Sequence, residues 1–381
     1  MNFAPNRIVA FLTAMMLIAA CCPRRAYAQI YTSSTVEEKQ PEIQMDISEI
    51  GKKTDSFRIG QSHTWIIRGE VPDDIGTAGQ YTVTQTLDHS LSYENGSLKV
   101  SLYTKEGNEL AMEMESHYTL TVGTIVEGEQ KERFSVALTP DGMAYAGANL
   151  GSGSAEAELR ISFCAVINVE ASMGTQIVGS AQLSYTSPDG TWYTVISDKP
   201  AIYTGGLHIM LTDPANNPLS GGIFMIARPA SEEELAAPTI AKELLDTGGE
   251  TIAVIYESFY SAEDLHGEKT AWVMTGKDGC AVIYGLAYGT YYLVQTETAG
   301  KGDIPMLPMK VNVNEVSHLT KADGWRDGSG RVEDNTVRII NDGASIPSTG
   351  GQGTAGLRVS GAAVLISACL LLLFNRRKEY K

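Results

Sequence analysis

The stretch Ala281-Val-Ile-Tyr-Gly-Leu-Ala-Tyr-Gly-Thr-Tyr-Tyr-Leu-Val-Gln-Thr296 decides the fold class. It holds two β-rich runs, 281–286 and 289–296, parted by glycines. Branched and aromatic side chains crowd both runs, as they do on pleated, half-buried surfaces. Gly279, Gly285 and Gly289 are expected to form tight hairpin turns between these strands. Upstream the period stays at two. His63-Thr-Trp-Ile-Ile-Arg68, Tyr81-Thr-Val-Thr-Gln85, Ser97-Leu-Lys-Val-Ser-Leu-Tyr103 and Tyr118-Thr-Leu-Thr-Val122 carry it, with Gly, Asp or Asn between them. Phe134–Leu138, Leu159–Phe163, Gln182–Tyr185 and Trp192–Ile196 continue it. Short strands at this spacing predict an all-β chain of two β-sandwiches in tandem, over 46–200 and 204–341.

Within the second sandwich, 231–268 reads as an insertion. Ser231-Glu-Glu-Glu234 predicts a capped helix, with Ser231 as N-cap and Glu234 closing a capping box. Leu235, Ile240, Leu244 and Leu245 follow at loose helical spacing, Pro238 interrupts them, and Gly248-Gly249 stops them. Ile252 to Tyr260 reads as strand. The insertion is expected either to decorate the sandwich edge or to carry a ligand surface.

Both ends of the chain are unlike its middle. Residues 1–28 read as an export signal, with Arg7 as the basic start, Ile8 to Ala20 as the apolar run and Ala26-Tyr27-Ala28 as the cleavage signal. Cleavage would fall between Ala28 and Gln29, leaving 29–45 as linker. Ile18-Ala-Ala-Cys21 offers another outcome, acylation of Cys21, from which a chain tied down at its other end gains little. At the far end, 359–374 is an uncharged apolar run of 16 residues, near the lower limit of ~17–25 for a spanning helix. Arg376, Arg377 and Lys378 in the tail 375–381 would stay cytoplasmic and leave everything upstream outside.

The charge agrees. The chain carries −16. Removing three arginines with the signal, and five basic residues and one glutamate after Thr349, leaves about −23. Such a surface repels nucleic acid and anionic lipid. Cys164 and Cys280, far apart, are expected to be small buried hydrophobes. The six histidines lack ligand spacing, and His-Glu-x-x-His, Gly-x-Ser-x-Gly and phosphate-loop motifs are absent from the sequence. No metal or cofactor is expected, and Asp141-Gly142, Asp189-Gly190 and Asp327-Gly328 read as turns.

Three resemblances sharpen this reading. Ile346-Pro347-Ser348-Thr349-Gly350, ahead of the apolar run and basic tail, resembles the Leu-Pro-x-Thr-Gly sorting signal of Gram-positive surface proteins, with Ile346 for Leu. It implies cleavage by a sortase between Thr349 and Gly350. The threonine acyl group would pass to a cell-wall precursor or a pilin lysine. Pro347 holds such a peptide extended, and Gly350 leaves the scissile bond uncrowded. Phe57-Arg-Ile-Gly60, Gly69-Glu-Val-Pro72, Tyr81–Leu87, Phe163–Asn168 and Ser180–Tyr185 resemble the fimbrial isopeptide-formation domain of Gram-positive pilins. Leu207–Asp213, Pro218-Leu-Ser-Gly-Gly-Ile-Phe224, Thr275–Gly279, Ala281–Leu286 and Gly289–Thr296 resemble the SpaA-type, or Cna-B, prealbumin-like domain.

Both domain resemblances imply a covalent staple in which a buried lysine bonds to an asparagine, helped by an acid. Here the staples read as broken. In the first domain the acid position is Gln85 and the asparagine position Gly179, with Lys52 or Lys53 at the lysine position. In the second the lysine position is Leu211 and the acid position Gln295, and only Asn341 survives. A glutamine shuttles no proton and a leucine has no amine, so neither bond is expected to form. Leu211 would fill the vacated core. No Tyr-Pro-Lys motif is visible, which points away from the repeating backbone subunit of a pilus. The resemblances thus imply a wall-anchored accessory, base or tip subunit with sortase and other pilin subunits as partners. The alternative is a stand-alone adhesin that takes a host or glycan ligand through 231–268.

Overall fold

In the computed structural model the described residues are 40–125, 131–153, 155–261, 268–300, 304–317 and 336–341. The signal segment, the sorting motif with its cleavage site, the apolar run and the basic tail lie outside them, as does Asp327. No helix among the described residues is long and apolar enough to cross a membrane.

The structure is almost wholly β. The first domain contains β1 (Ile43–Ile47), β2 (Thr54–Ser56), β3 (Ser62–Val71), β4 (Gln80–Thr86), β5 (Leu91–Tyr93), β6 (Lys99–Tyr103) and β7 (Glu109–Ala111). It continues with β8 (Tyr118–Ile125), β9 (Lys131–Leu138), α1 (Pro140–Ala148), β10 (Ala157–Ile167), β11 (Ile177–Val178), β12 (Ser180–Thr186), β13 (Trp192–Ile196) and β14 (Ala201–Tyr203). The second contains β15 (Gly205–Thr212), β16 (Ile223–Pro229), α2 (Glu232–Ala236), β17 (Glu243–Asp246), β18 (Thr251–Tyr256) and β19 (Tyr260–Ser261). Then come β20 (Val273–Met274), β21 (Cys280–Leu286), β22 (Gly289–Glu297), β23 (Met309–Val313) and β24 (Thr336–Ile340).

Two sheets face each other in the first domain. One runs β1-β3-β10-β6-β7, with β5 also on β10; the other runs β13-β12-β4-β9-β8. Alternation explains the sandwich. Every second residue of β3 and of β10 is buried, and the two strands pair antiparallel from Ala157↔Val71 to Val166↔Ser62. Trp65, Phe134 and Phe163 are fully buried between the sheets, the two phenylalanines edge to face at 4.8 Å. A small sheet, β11-β14-β2, closes the end next to the second domain.

The second domain stacks β19-β21-β15-β24 on β17-β18-β16-β22-β23. Leu207, Ile209, Leu211, Phe224, Ile226, Ile283 and Leu293 fill its core. β24 joins β15 in parallel, Leu211 opposite Ile339, so the last described strand closes on the first of its domain.

Five expectations need correction. β21 and β22 are not a hairpin: β21 pairs with β15 and β22 with β16 and β23, so residues 287–288 carry the chain from one sheet to the other. Gly285, at φ +77°, is instead a bulge where Gly205↔Leu286 is followed by Gly206↔Tyr284. Of the three glycines, Gly279 alone makes its turn, its N–H bonding Gly276 O at 2.9 Å. Asp141-Gly142 is not a turn but the first turn of α1, capped by the Thr139 hydroxyl. The stretch read as linker already contains most of the first strand, since β1 opens at Ile43 with Ile43 and Met45 buried. In the insertion the capping box at Ser231 and Glu234 forms, but the helix ends at Ala236. Leu244 and Leu245 lie on β17, which turns at Gly248 into β18. Cys164 and Cys280 are half-buried, not buried, with Cys164 Sγ 3.7 Å from the Thr64 hydroxyl and Cys280 Sγ 3.6 Å from Asp278 O.

Candidate functional site

The positions singled out in the sequence fall into two groups in the folded chain, one inside each sandwich. Between them runs a third feature that the sequence did not announce, the junction of the domains.

In the first domain β4 turns Gln85 inward, opposite Ala181 on β12. Gln85 is fully buried; its Nε2 donates to Thr86 O at 3.2 Å and its Oε1 has no partner. Gly179 sits just ahead of β12. A Cβ there would lie 2.5 Å from Trp65 Cζ3 and 2.9 Å from Met45 Cε. The indole and the thioether therefore occupy the space that an asparagine side chain would need.

The two lysines are engaged elsewhere. Lys52 pairs with Asp55 at 2.6 Å. Lys53 Nζ lies 2.6 Å from Asp46 and 2.5 Å from Asp198, and donates to Met45 O at 2.7 Å. Burial pulls the Lys53 pKa down, but the bonds to Asp198 and Asp46 outweigh it and the net shift is upward. A charged amine is no nucleophile, so the electrostatics of this site work against a staple. Burial likewise pushes the buried Asp46 carboxyl up, and the bonds from Lys53 and Arg68 more than reverse it.

In the second domain the positions that the resemblance implies are all buried. Leu211 is fully buried on β15, opposite Ile339. Its side chain fills the space beside Gly222, where any Cβ would collide with it. Asn341 follows β24, its N–H on Thr212 O at 2.9 Å, and is buried with its Nδ2 unpartnered. Gln295 on β22 is buried too; its Oε1 accepts from Met306 N–H at 3.1 Å while its Nε2 has no partner. An orphaned buried donor costs about 1–3 kcal/mol.

The junction is built from both domains. Ile59 N–H donates to Gly285 O at 3.1 Å, which is what the bulge at Gly285 serves: a Cβ there would lie 2.9 Å from Ile59 Cδ1. Tyr288 N–H donates to the Ser56 hydroxyl at 2.9 Å. Arg58 of the first domain pairs with Glu257, which is nearly buried and also accepts from Arg228 Nε at 2.5 Å. Arg228 then grips Glu234 through two bonds of 2.6 and 2.5 Å. That grip holds Glu234, already fixed in its capping box, at about 2. Two acids of the insertion, Glu234 and Glu257, thus turn toward Arg228, while Glu232, Glu233, Glu243, Asp246 and Glu250 are exposed.

Of the histidines, His63 accepts from Trp65 Nε1–H at 2.9 Å and stacks on Phe57 at 4.5 Å. Burial pulls it down to about 4. No group of residues able to hold a metal ion is present among the described residues.

Solved structures share this architecture. One is a 35 kDa C-terminal fragment of the major pilin GBS80 of Streptococcus agalactiae, at TM-score 0.55 and 19% identity, covering 80% of this chain and 100% of that one. Its match decides the fold. This chain has a pilin-type fold. The pilus backbone RrgB of Streptococcus pneumoniae matches at TM-score 0.54 and 13% identity, over 80% and 100% of the two chains. The fimbrial protein FimP of Actinomyces oris matches at 0.52 and 15%, over 79% and 67%. No family profile and no curated protein matches the sequence.

Proposed function

We propose that this pilin-type chain is an exported surface protein, attached covalently to a Gram-positive cell wall or pilus as a sortase substrate. One observation carries the reading. A tandem pilin-type sandwich closes at Asn341, and Ile346-Pro347-Ser348-Thr349-Gly350 follows only a few residues later, ahead of the apolar run and basic tail. A sortase would cut after Thr349 and pass its acyl group to an amine of the wall or of a pilin lysine. The chain's own chemistry is then that of a substrate, its two sandwiches held by packing and ion pairs. Without a Tyr-Pro-Lys lysine it would serve as an accessory, base or tip subunit, or stand alone on the wall.

The test is cellular. Cells expressing Thr349→Ala should lose the protein from the muramidase-released, detergent-resistant wall fraction and retain it with the membrane. Unchanged wall attachment in this variant refutes the reading.

A further inference from the structure

The outer face of the sheet β13-β12-β4-β9-β8 has an unusual composition for so acidic a chain. The registers align its outward residues in rows across the strands. One row is Thr194, Ser184, Thr82, Ala137 and Thr119; the next is Ile196, Gln182, Thr84, Ser135 and Thr121. Flanking rows begin at Trp192, beside Thr186, and at Ser180, beside Thr86 and Arg133. Across these rows Arg133 is the one charge, in a chain of net −16.

Apart from Arg133 the face is uncharged, and its polar groups are bonded to one another. The Thr84 and Ser135 hydroxyls are 3.0 Å apart, Gln80 Nε2 donates to the Thr82 hydroxyl at 3.2 Å, and Gln182 Nε2 donates to the Ser184 hydroxyl at 3.4 Å. Each hydroxyl retains acceptor capacity, and each amide a second N–H. At one edge Trp192 is 63% exposed and Ile196 61%, both on the terminal strand β13. Among the described residues this indole lies outside the packed core, on a terminal strand.

We propose that this face binds an uncharged polysaccharide, with Trp192 as the stacking platform. Rows of strands ~4.8 Å apart offer hydroxyls and amides over about 19 Å, enough for several consecutive sugar rings. Sugar hydroxyls pair with such groups without the desolvation of a charge. The indole packs on the apolar face of a ring while its N–H stays free for an oxygen. Other partners fit less well. A protein sheet docking here needs an apolar centre, and the centre is threonine and serine. Nucleic acid or an anionic glycan needs several cations, and the face has one. A flat face binds each chain weakly, and dense display of many copies on one surface multiplies the effect.

The proposal does not depend on wall anchoring, because Thr349→Ala leaves this face untouched. Its test is affinity electrophoresis of the full chain in gels holding a soluble β-glucan, a mannan, a galactan or a dextran, with hyaluronan as the charged counterpart. At least one neutral polymer should retard the protein. Trp192→Ala should weaken that retardation at least ten-fold. Thr84→Val, which keeps the strand-forming branch and removes the hydroxyl, should weaken it several-fold. Trp272→Ala, at a comparably exposed indole of the other domain (50%), should change nothing. Retardation by none of the neutral polymers, by hyaluronan alone, or equally in Trp192→Ala and wild type overturns it.

Discussion

Set against the covalent staple that the resemblances imply, the two sandwiches differ. In the second, the change is confined to side chains: Leu211 and Gln295 stand where the resemblance implies a lysine and an acid, and Asn341 remains with an unpartnered amide. In the first, the space itself is filled. Trp65 and Met45 close over Gly179, and Lys53 is bound by two carboxylates. On the resemblance's reading, a site that lacks only functional groups should be recoverable, and one whose space is filled should not.

This contrast predicts the largest effect. Leu211→Lys alone buries an amine without an acid and should cost about 4 kcal/mol in urea unfolding. Adding Gln295→Glu supplies the proton shuttle. The introduced amine, held neutral by burial, would then attack the Asn341 side-chain carbonyl. The new C–N bond replaces the old, and the amide nitrogen leaves as ammonia. Intact mass should fall by about 17 Da and the stability should be regained. In the first domain Gly179→Asn combined with Gln85→Glu restores both groups, yet should give no mass loss and cost about 3 kcal/mol, because the Cβ at 179 meets the indole. A mass loss there, or none in Leu211→Lys with Gln295→Glu, erases the distinction between the two sites.

How far this was legible in the sequence differs between local and distant features. Alternation in β3, β4, β10 and β12 marked the sandwich, because half-buried strands write their burial into every second residue. Pairing is not local, so the neighbouring runs 281–286 and 289–296 read as a hairpin although they belong to different sheets. α1 was missed because Gly142 and Gly147 are poor helix formers. They are glycine for contact: a Cβ on Gly142 would run into His117 backbone, and one on Gly147 would lie 2.8 Å from Gly76 Cα. Gln85, Gly179, Leu211 and Gln295 could be singled out one by one only through the domain resemblances. That Trp65 fills the place opposite Gly179 could not, since nothing local connects β3 to the start of β12. The junction pair of Arg58 and Glu257 was invisible for the same reason.

The packed core of the first domain has a consequence under acid. Trp65 donates to His63, and burial holds that imidazole near 4 against an ordinary 6.5. Above pH 6.5 the ring is neutral in folded and unfolded chains alike, and its contribution to stability is complete. Between pH 6.5 and 4 the unfolded chain takes up a proton that the folded one refuses, so stability falls as pH falls, by about 3 kcal/mol across the window. His208 in the second domain is also pulled down by burial, so acid acts on both. His63→Gln, whose amide oxygen can still accept from the indole, should flatten the first domain's share. Urea titrations at pH 7 and pH 4.5 check it. An unchanged pH dependence would mean that other titratable groups, and not this imidazole, set it.

The smallest effect tests whether the domains answer separately at all. Arg58 links the first domain to Glu257, and Arg228 keeps Glu257 paired when Arg58 is removed. Arg58→Ala should therefore cost only about 1 kcal/mol, since no buried charge is stranded and the guanidinium is partly exposed. Its signature would lie in cooperativity rather than in total stability. With the link present, calorimetry should show the two sandwiches unfolding in overlapping transitions; without it, the transitions should separate. Glu257→Gln removes the anionic partner of both arginines at once and should separate the transitions further. If neither variant alters the overlap, the backbone contacts of Ile59 with Gly285 and of Tyr288 with Ser56 are sufficient to couple the domains, and the insertion's acids serve the second sandwich alone.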